Sequence, residues 1–168
     1  VRAALENLLG NLKWADLAGA RSVAVAINDK TRPVPHHLLL PPLLERLASI
    51  GIPDSAITFF VAVGTHPPMT SEEFPSILPD EILKRYRVIS HNGEDDDLLV
   101  NLGETSRGTP VWSNWAYFES DLKIVVGNIE PHPLMGWSGG VKRAAVGLSA
   151  RSTINANHAL MTEPGSEL

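Results

Sequence analysis

The stretch Gly127–Gly147, GNIEPHPLMGWSGGVKRAAVG, sets His132 between two prolines, then a glycine-rich bend, then a basic pair that begins with Lys142. Two shorter motifs stand earlier in the chain. DKTRP carries Asp29 and Arg32, and GTH carries His66. Arginine presents a planar fork that matches a carboxylate or a phosphate, and Asp29 lies in the same loop, where it can hold that guanidinium in position. Imidazole titrates near neutrality, so His66 and His132 are candidate general acids or bases, or metal ligands. Ser138-Gly139-Gly140 before Lys142 invites comparison with the phosphate-cradling pattern G-x-x-x-x-G-K-[ST]. The comparison fails, because Val141 stands where the second glycine belongs and Arg143 follows the lysine. A glycine-rich bend can still turn backbone N–H groups toward a phosphate.

The elements that must position these groups follow from apolar patterning. RSVAVAIND, AITFFVAVGTH and LKIVVGNIEPH read as buried strands, and RVISHN and TPVWS as shorter ones. ENLLGNLKWADL reads as an N-terminal helix. PHHLLLPPLLERLASIG reads as a helix with prolines in its first turns and Gly51 as its stop. TSEEF offers Thr70 and Glu73 as a capping box, PDEILKRYR and NWAYFESD continue helically, and SARSTINANHALM is a last helix with Ser152 as its cap. Continuous apolar strands alternating with helices predict an α/β fold, a mainly parallel sheet with helices on both faces in a Rossmann-like three-layer arrangement. In such sheets ligands bind beyond the carboxyl ends of the strands. Asp29 and Arg32, His66, and His132 follow three such ends.

Composition narrows the partners. The chain of 168 residues carries a net charge of −5 with no Lys/Arg-rich run, which argues against nucleic acid and an anionic membrane surface and for a small molecule. It contains no cysteine, so a metal site must use nitrogen or oxygen. No apolar stretch approaches a membrane span and no secretory layout opens the chain, which predicts a cytoplasmic protein. His158 falls on the last helix. His36 and His37 open a helix, and His91 falls in the polar SHNGEDDD stretch, whose acidic run reads as a solvated turn.

Taken together, DKTRP, GTH, PHPLMGWSGGVK and NH resemble the N-terminal half of the nickel-dependent lactate racemase family of 2-hydroxyacid racemases and epimerases, in order and, for His132, Lys142 and His158, in spacing. The resemblance implies that His66 and His132 are paired acid/base residues and that Arg32, with Asp29 beside it, binds the substrate carboxylate. It implies that Lys142, next to Ser138, Gly139 and Gly140, is joined covalently to a nickel pincer nucleotide, with His158 as the protein ligand of the nickel. An imidazole and tetragonal geometry suit Ni(II). Removing the Cα proton of a 2-hydroxycarboxylate directly would create a dianion, and hydride transfer to a cofactor avoids it.

Residues 1–168 are expected to form one such α/β domain, with the family's C-terminal domain outside the chain and the isolated domain inactive alone. Implied partners are a small 2-hydroxycarboxylate, that C-terminal domain, and cofactor-biosynthesis enzymes. Two other readings remain open at this point. One is a non-catalytic domain that binds a nucleotide or metal. The other is a metal hydrolase built on His66, His132 and His158, for which Lys142 has no use.

Overall fold

The computed structural model describes residues 1–132 and 136–164; Pro133, Leu134 and Met135 of the PHPLMGW stretch, and the terminal 165–168, lie outside the described residues. Four strands form the central sheet: β1 (Val23–Asn28), β2 (Ile57–Ala62), β3 (Arg87–Ser90) and β6 (Leu122–Val125), in the order β3-β2-β1-β6 and all parallel. The predicted α/β class and mainly parallel sheet are borne out. From β1 the chain builds outward through β2 to β3, then returns to place β6 on the other side of β1. A crevice therefore opens beyond the carboxyl ends of β1 and β6, where the order reverses.

The alternation of large and small residues in VAVAIN decides what covers each face. Val23, Val25 and Ile27 stand in register with Ile57, Phe59 and Val61, and pack against Leu40, Leu44 and Leu47 of α2 (His36–Ser49) and Ile82 of α3 (Asp80–Arg85). Ala24 and Ala26 face the other way, beside Phe60, Ala62, Leu148 and Tyr117 of α4 (Trp115–Phe118). Their small side chains let a short helix, α5 (Val141–Ala145), lie close against β1 and β6. Burial of these residues supplies the main stabilising term, about 1.5–3 kcal/mol for each large apolar side chain.

Several expectations need correction. ENLLGNLKWADL is no continuous helix: α1 (Arg2–Glu6) ends before Gly10, which adopts φ +78°, and a 3-10 turn follows at Trp14–Leu17. Both prolines of α2 stand in its second turn, at Pro41 and Pro42, so the carbonyls of exposed His37 and Leu38 give up their helical N–H partners. Gly51, at φ +88°, ends this helix as expected. Thr70 and Glu73 form the expected capping box, on a 3-10 helix at Ser71–Ser76. The apolar strand of LKIVVGNIEPH stops at Val125, and Gly127 beyond it lies so close to Asn28 that a side chain there would come within 2.7 Å of the amide oxygen.

Beyond that bend β7 (Glu130–His132) pairs with β8 (Gly136–Ser138) as an antiparallel hairpin. A second hairpin joins β4 (Leu99–Glu104) to β5 (Pro110–Asn114). The last helix, α6 (Arg151–Ala159), is capped at Ala150, which puts Ser152 inside the helix rather than at its cap. His91, at the start of the SHNGEDDD stretch, is fully buried: its Nε2 lies 3.0 Å from the Ser149 carbonyl and its Nδ1 3.3 Å from the Asn114 amide nitrogen. Among the described residues no helix is long and apolar enough to cross a membrane.

Candidate functional site

A cleft of about 130 Å³ opens at the crevice beyond β1 and β6, with room for a small organic acid. Asp29, Arg32, His66, His132, Lys142 and His158 all line it, as do Ser138 and Gly139. Gly140 does not; it caps α5, and its carbonyl accepts from the Arg143 N–H at 3.0 Å. Five separate segments thus deliver every other residue singled out from sequence to one cavity.

Asp29 follows β1 and is 3% exposed. Its Oδ1 accepts from the Thr31 N–H at 3.1 Å and the Thr31 hydroxyl at 2.8 Å, and its Oδ2 lies 2.6 Å from His66 Nδ1. An ionised carboxylate can only accept, so Nδ1 carries a proton, and in the neutral ring Nε2 of His66 is the atom with the lone pair. The carboxylate therefore serves the histidine and not the guanidinium expected from the loop sequence. Arg32 donates from Nη1 to the Thr31 carbonyl at 3.3 Å and has its Nε 3.7 Å from Glu130 Oε1. His66 is fixed from behind as well, since Arg151 Nη2 donates to the Thr65 carbonyl at 3.1 Å while Arg151 Nε is paired with Glu94.

His132 stands at the end of β7, partly buried. Burial pushes its pKa below the usual imidazole value, helped by the positive charges of Lys142, His158 and Arg32 and opposed by Glu130. The pKa of Lys142, on α5, is likewise pushed down by burial and by the guanidiniums of Arg143 and Arg32, with Glu130 opposing. His158 sits in the last turns of α6 with Nδ1 2.8 Å from the Ile154 carbonyl. That contact makes Nδ1 the N–H and leaves Nε2 as a donor atom for a metal.

The bend before Lys142 depends on Gly139. Its φ is +89°, and a Cβ there would run into the Asn128 carbonyl oxygen. Buried Ser138 donates from Oγ to the Glu130 carbonyl at 3.3 Å and ties the two hairpin strands. Among the described residues no three His, Asp or Glu side chains are grouped to hold a metal by themselves, so the three-histidine hydrolase centre is not formed. Sequence reasoning missed Asn28, whose amide nitrogen donates to the Arg32 carbonyl at 2.9 Å and to Asn128 Oδ1 at 2.8 Å. Its only signal was a polar residue closing an apolar strand. Arg143 was visible only as the second half of a basic pair, yet it also lines the cleft.

The chain as a whole has relatives of known name. The lactate racemase from Lactiplantibacillus plantarum is 37% identical over 159 residues, covering 94% of this chain and 37% of the relative. The lactate racemase from Thermoanaerobacterium thermosaccharolyticum is 30% identical over the same coverage. The chain thus spans well under half the length of these curated relatives. The lactate racemase apoprotein structure from T. thermosaccharolyticum superposes with a TM-score of 0.90 at 29% identity, over 99% of this chain and 40% of that one. A protein from Thermotoga maritima superposes with a TM-score of 0.69 at 25% identity, over 98% of this chain and 41% of that one. The family model described as the lactate racemase N-terminal domain matches residues 1–168, and the chain belongs to that family.

Proposed function

We propose that this chain is the N-terminal domain of a cytoplasmic 2-hydroxyacid racemase or epimerase that works by proton-coupled hydride transfer through a nickel pincer nucleotide. The observation that carries the reading is the convergence of His66, His132, Arg32 and the Lys142 amine on a single cleft, with the His66 ring held by Asp29. Arg32 would bind the substrate carboxylate, the group both enantiomers share. His66 and His132 would each accept the hydroxyl proton of one enantiomer through a ring nitrogen and return a proton for the other.

The residues fit the cofactor. Lys142 combines an amine of lowered pKa with a position on the cleft wall, as a covalent anchor requires. His158 presents Nε2 as a single protein ligand, which suffices when the remaining donors belong to the bound group. The bend at Ser138, Gly139 and Gly140 provides the close backbone approach. When bound, the group would supply hydride acceptance and return at the substrate's Cα. The amine of Lys142, the Nε2 of His158 and the walls of the cleft are this chain's part in holding it.

The relatives are more than twice as long, and we assign to their remaining length a C-terminal domain that closes the cleft against water. The chain alone would then show no racemisation. The test uses a full-length enzyme coexpressed with cofactor-synthesis enzymes, and follows single-turnover 2-oxo acid formation from each pure enantiomer. His66→Ala should impair oxidation of one enantiomer and His132→Ala that of the other, each by about 10²–10⁴-fold. Equal loss of both half-reactions in both variants would refute the two-base arrangement. A non-catalytic binding domain would show turnover in neither direction in the loaded, unmutated enzyme.

A further inference from the structure

Arg143 follows Lys142 on α5 and lines the same cleft. Its surroundings are unusual for a guanidinium. Nη2 donates to the neutral Asn128 Oδ1 at 3.3 Å, and that oxygen already accepts from Asn28 at 2.8 Å. Nε is buried and, among the described residues, has no hydrogen-bond partner. Nor does any described carboxylate lie within 4 Å of its nitrogens. Asp29, one of the carboxylates that favours its charge, is engaged by Thr31 and His66.

Burial lowers the pKa of Arg143 and Arg32 lowers it further, with Asp29 and Glu130 opposing. A guanidinium stays charged in proteins, so this is a statement of cost: a positive charge held out of water beside a second guanidinium and a lysine. Buried charge is ordinarily paired, and breaking such a pair is strongly destabilising. The backbone accommodates Arg143 closely. A Cβ at Gly127 would sit 3.5 Å from both Nε and Nη2, which is contact distance, so the guanidinium lies against the strand end. An arginine seated in a cleft wall without a carboxylate is arranged to receive an anion from outside.

We propose that Arg143 is a second oxyanion-binding residue of the cleft, separate from Arg32, which takes either a phosphate monoester or a second carboxylate. The inference rests on the reading of this cleft as a site for anionic ligands. Two sources share that chemistry: the phosphate of a bound mononucleotide, and the distal carboxylate of a 2-hydroxy diacid substrate. In either case the fork donates paired N–H groups to two oxygens of one anion.

The test titrates this chain, without nickel or nucleotide, with inorganic phosphate, lactate and malate in separate experiments, by calorimetry and by the NMR shift of the Arg143 Nε–H. Arg143→Gln should weaken phosphate binding about 10–100-fold, or remove a malate-over-lactate preference of similar size, because a charge-assisted bond is lost. Loss confined to phosphate assigns the cofactor's phosphate as the source. Loss confined to the malate preference assigns a diacid substrate. Loss of both shows one pocket serving either.

Asn128→Asp guards against a merely unfolded variant. It sets a carboxylate against Arg143, so thermal stability should be kept or raised while the same oxyanion binding falls. Unchanged affinities in Arg143→Gln, full oxyanion binding in Asn128→Asp, or no binding of any of the three probes by the unmutated chain would overturn the proposal. None of these readouts involves turnover, so failure of the racemase reading would appear separately, in the loaded enzyme.

Discussion

The Asp29 carboxylate and the His66 imidazole meet at 2.6 Å, Oδ2 to Nδ1, across 37 residues of sequence. β1 and β2 are parallel neighbours, so the residues just beyond their ends arrive side by side. The pairing makes the two cleft histidines unequal. His66 is oriented by a buried carboxylate, whereas the pKa of His132 is depressed by burial and then by the charges of Lys142, His158 and Arg32.

That asymmetry predicts the behaviour of Asp29→Asn in the cofactor-loaded full-length enzyme. An amide in the carboxylate's place can donate to Nδ1 and so favours the tautomer with its proton on Nε2, which cannot act as a base. The half-reaction served by His66 should fall about 10²–10⁴-fold in kcat, with KM for both enantiomers little changed. If Asp29 instead acts on the carboxylate-binding Arg32, both enantiomers will lose affinity together. Measuring kcat and KM for each enantiomer separates the two.

The α/β class was legible because VAVAIN and ITFFVA are continuous apolar runs, in the first of which the large and small residues are sorted to opposite faces. The gathering of the site was legible for a related reason: in a parallel sheet all strand ends fall on one edge, so residues after three strands must be neighbours. Who bonds to whom was not. Asp29 had Arg32 three positions away in sequence, and only the register of β1 on β2 hands its carboxylate to His66. The β4–β5 hairpin stayed hidden because its first strand exposes Asn101, Leu102, Gly103 and Glu104 and so carries little apolar pattern. The burial of His91 was not legible because polar neighbours in sequence do not fix burial in space; Ser149 and Asn114 come from elsewhere in the chain to enclose it.

Acid should destabilise the fold early. Burial pushes the pKa values of His36 and His91 below the usual histidine value, opposed by their contacts to the Ile77 and Ser149 carbonyls. The unfolded chain therefore binds protons that the folded chain resists, and stability rises with pH through this range. The contribution is fully present above the unfolded value of about 6.5 and is lost as pH falls below it toward the folded values, at up to ~1.4 kcal/mol per pH unit for each histidine. Urea midpoints between pH 7.5 and 5 should decline, and His91→Gln should flatten the decline while lowering stability at pH 7.5. A level curve across this window would contradict the buried, neutral assignment.

Gly139→Ala should damage the bend that leads to Lys142. A left-handed backbone penalises any side chain by about 1–3 kcal/mol, and here the added methyl also meets the Asn128 carbonyl, which is backbone and cannot rotate aside. The expected result is a melting temperature several degrees lower and loss of covalent loading on Lys142, read by intact mass. Gly10→Ala serves as the comparison. Gly10 has φ +78° but open space around it, so it should cost stability without touching loading.

The charge on Lys142 should be readable at His132. Burial is the larger cause of the depressed His132 pKa, and the Lys142 ammonium is the next. Replacing it by an uncharged chain of similar length, Lys142→Met, should raise the His132 pKa, because one repulsive charge is removed while burial is kept. His91 has no charged contributor, so its resonance should titrate as before. Covalent modification of the Lys142 amine to a neutral amide or thioamide should shift His132 in the same direction, so that attachment of a group at this lysine would alter the proton affinity of the nearby imidazole. Histidine side-chain NMR on the unmodified chain and on Lys142→Met measures this directly. A His132 titration identical in the two would show that the lysine's charge is screened from the ring, and that burial and the other neighbouring charges set its value.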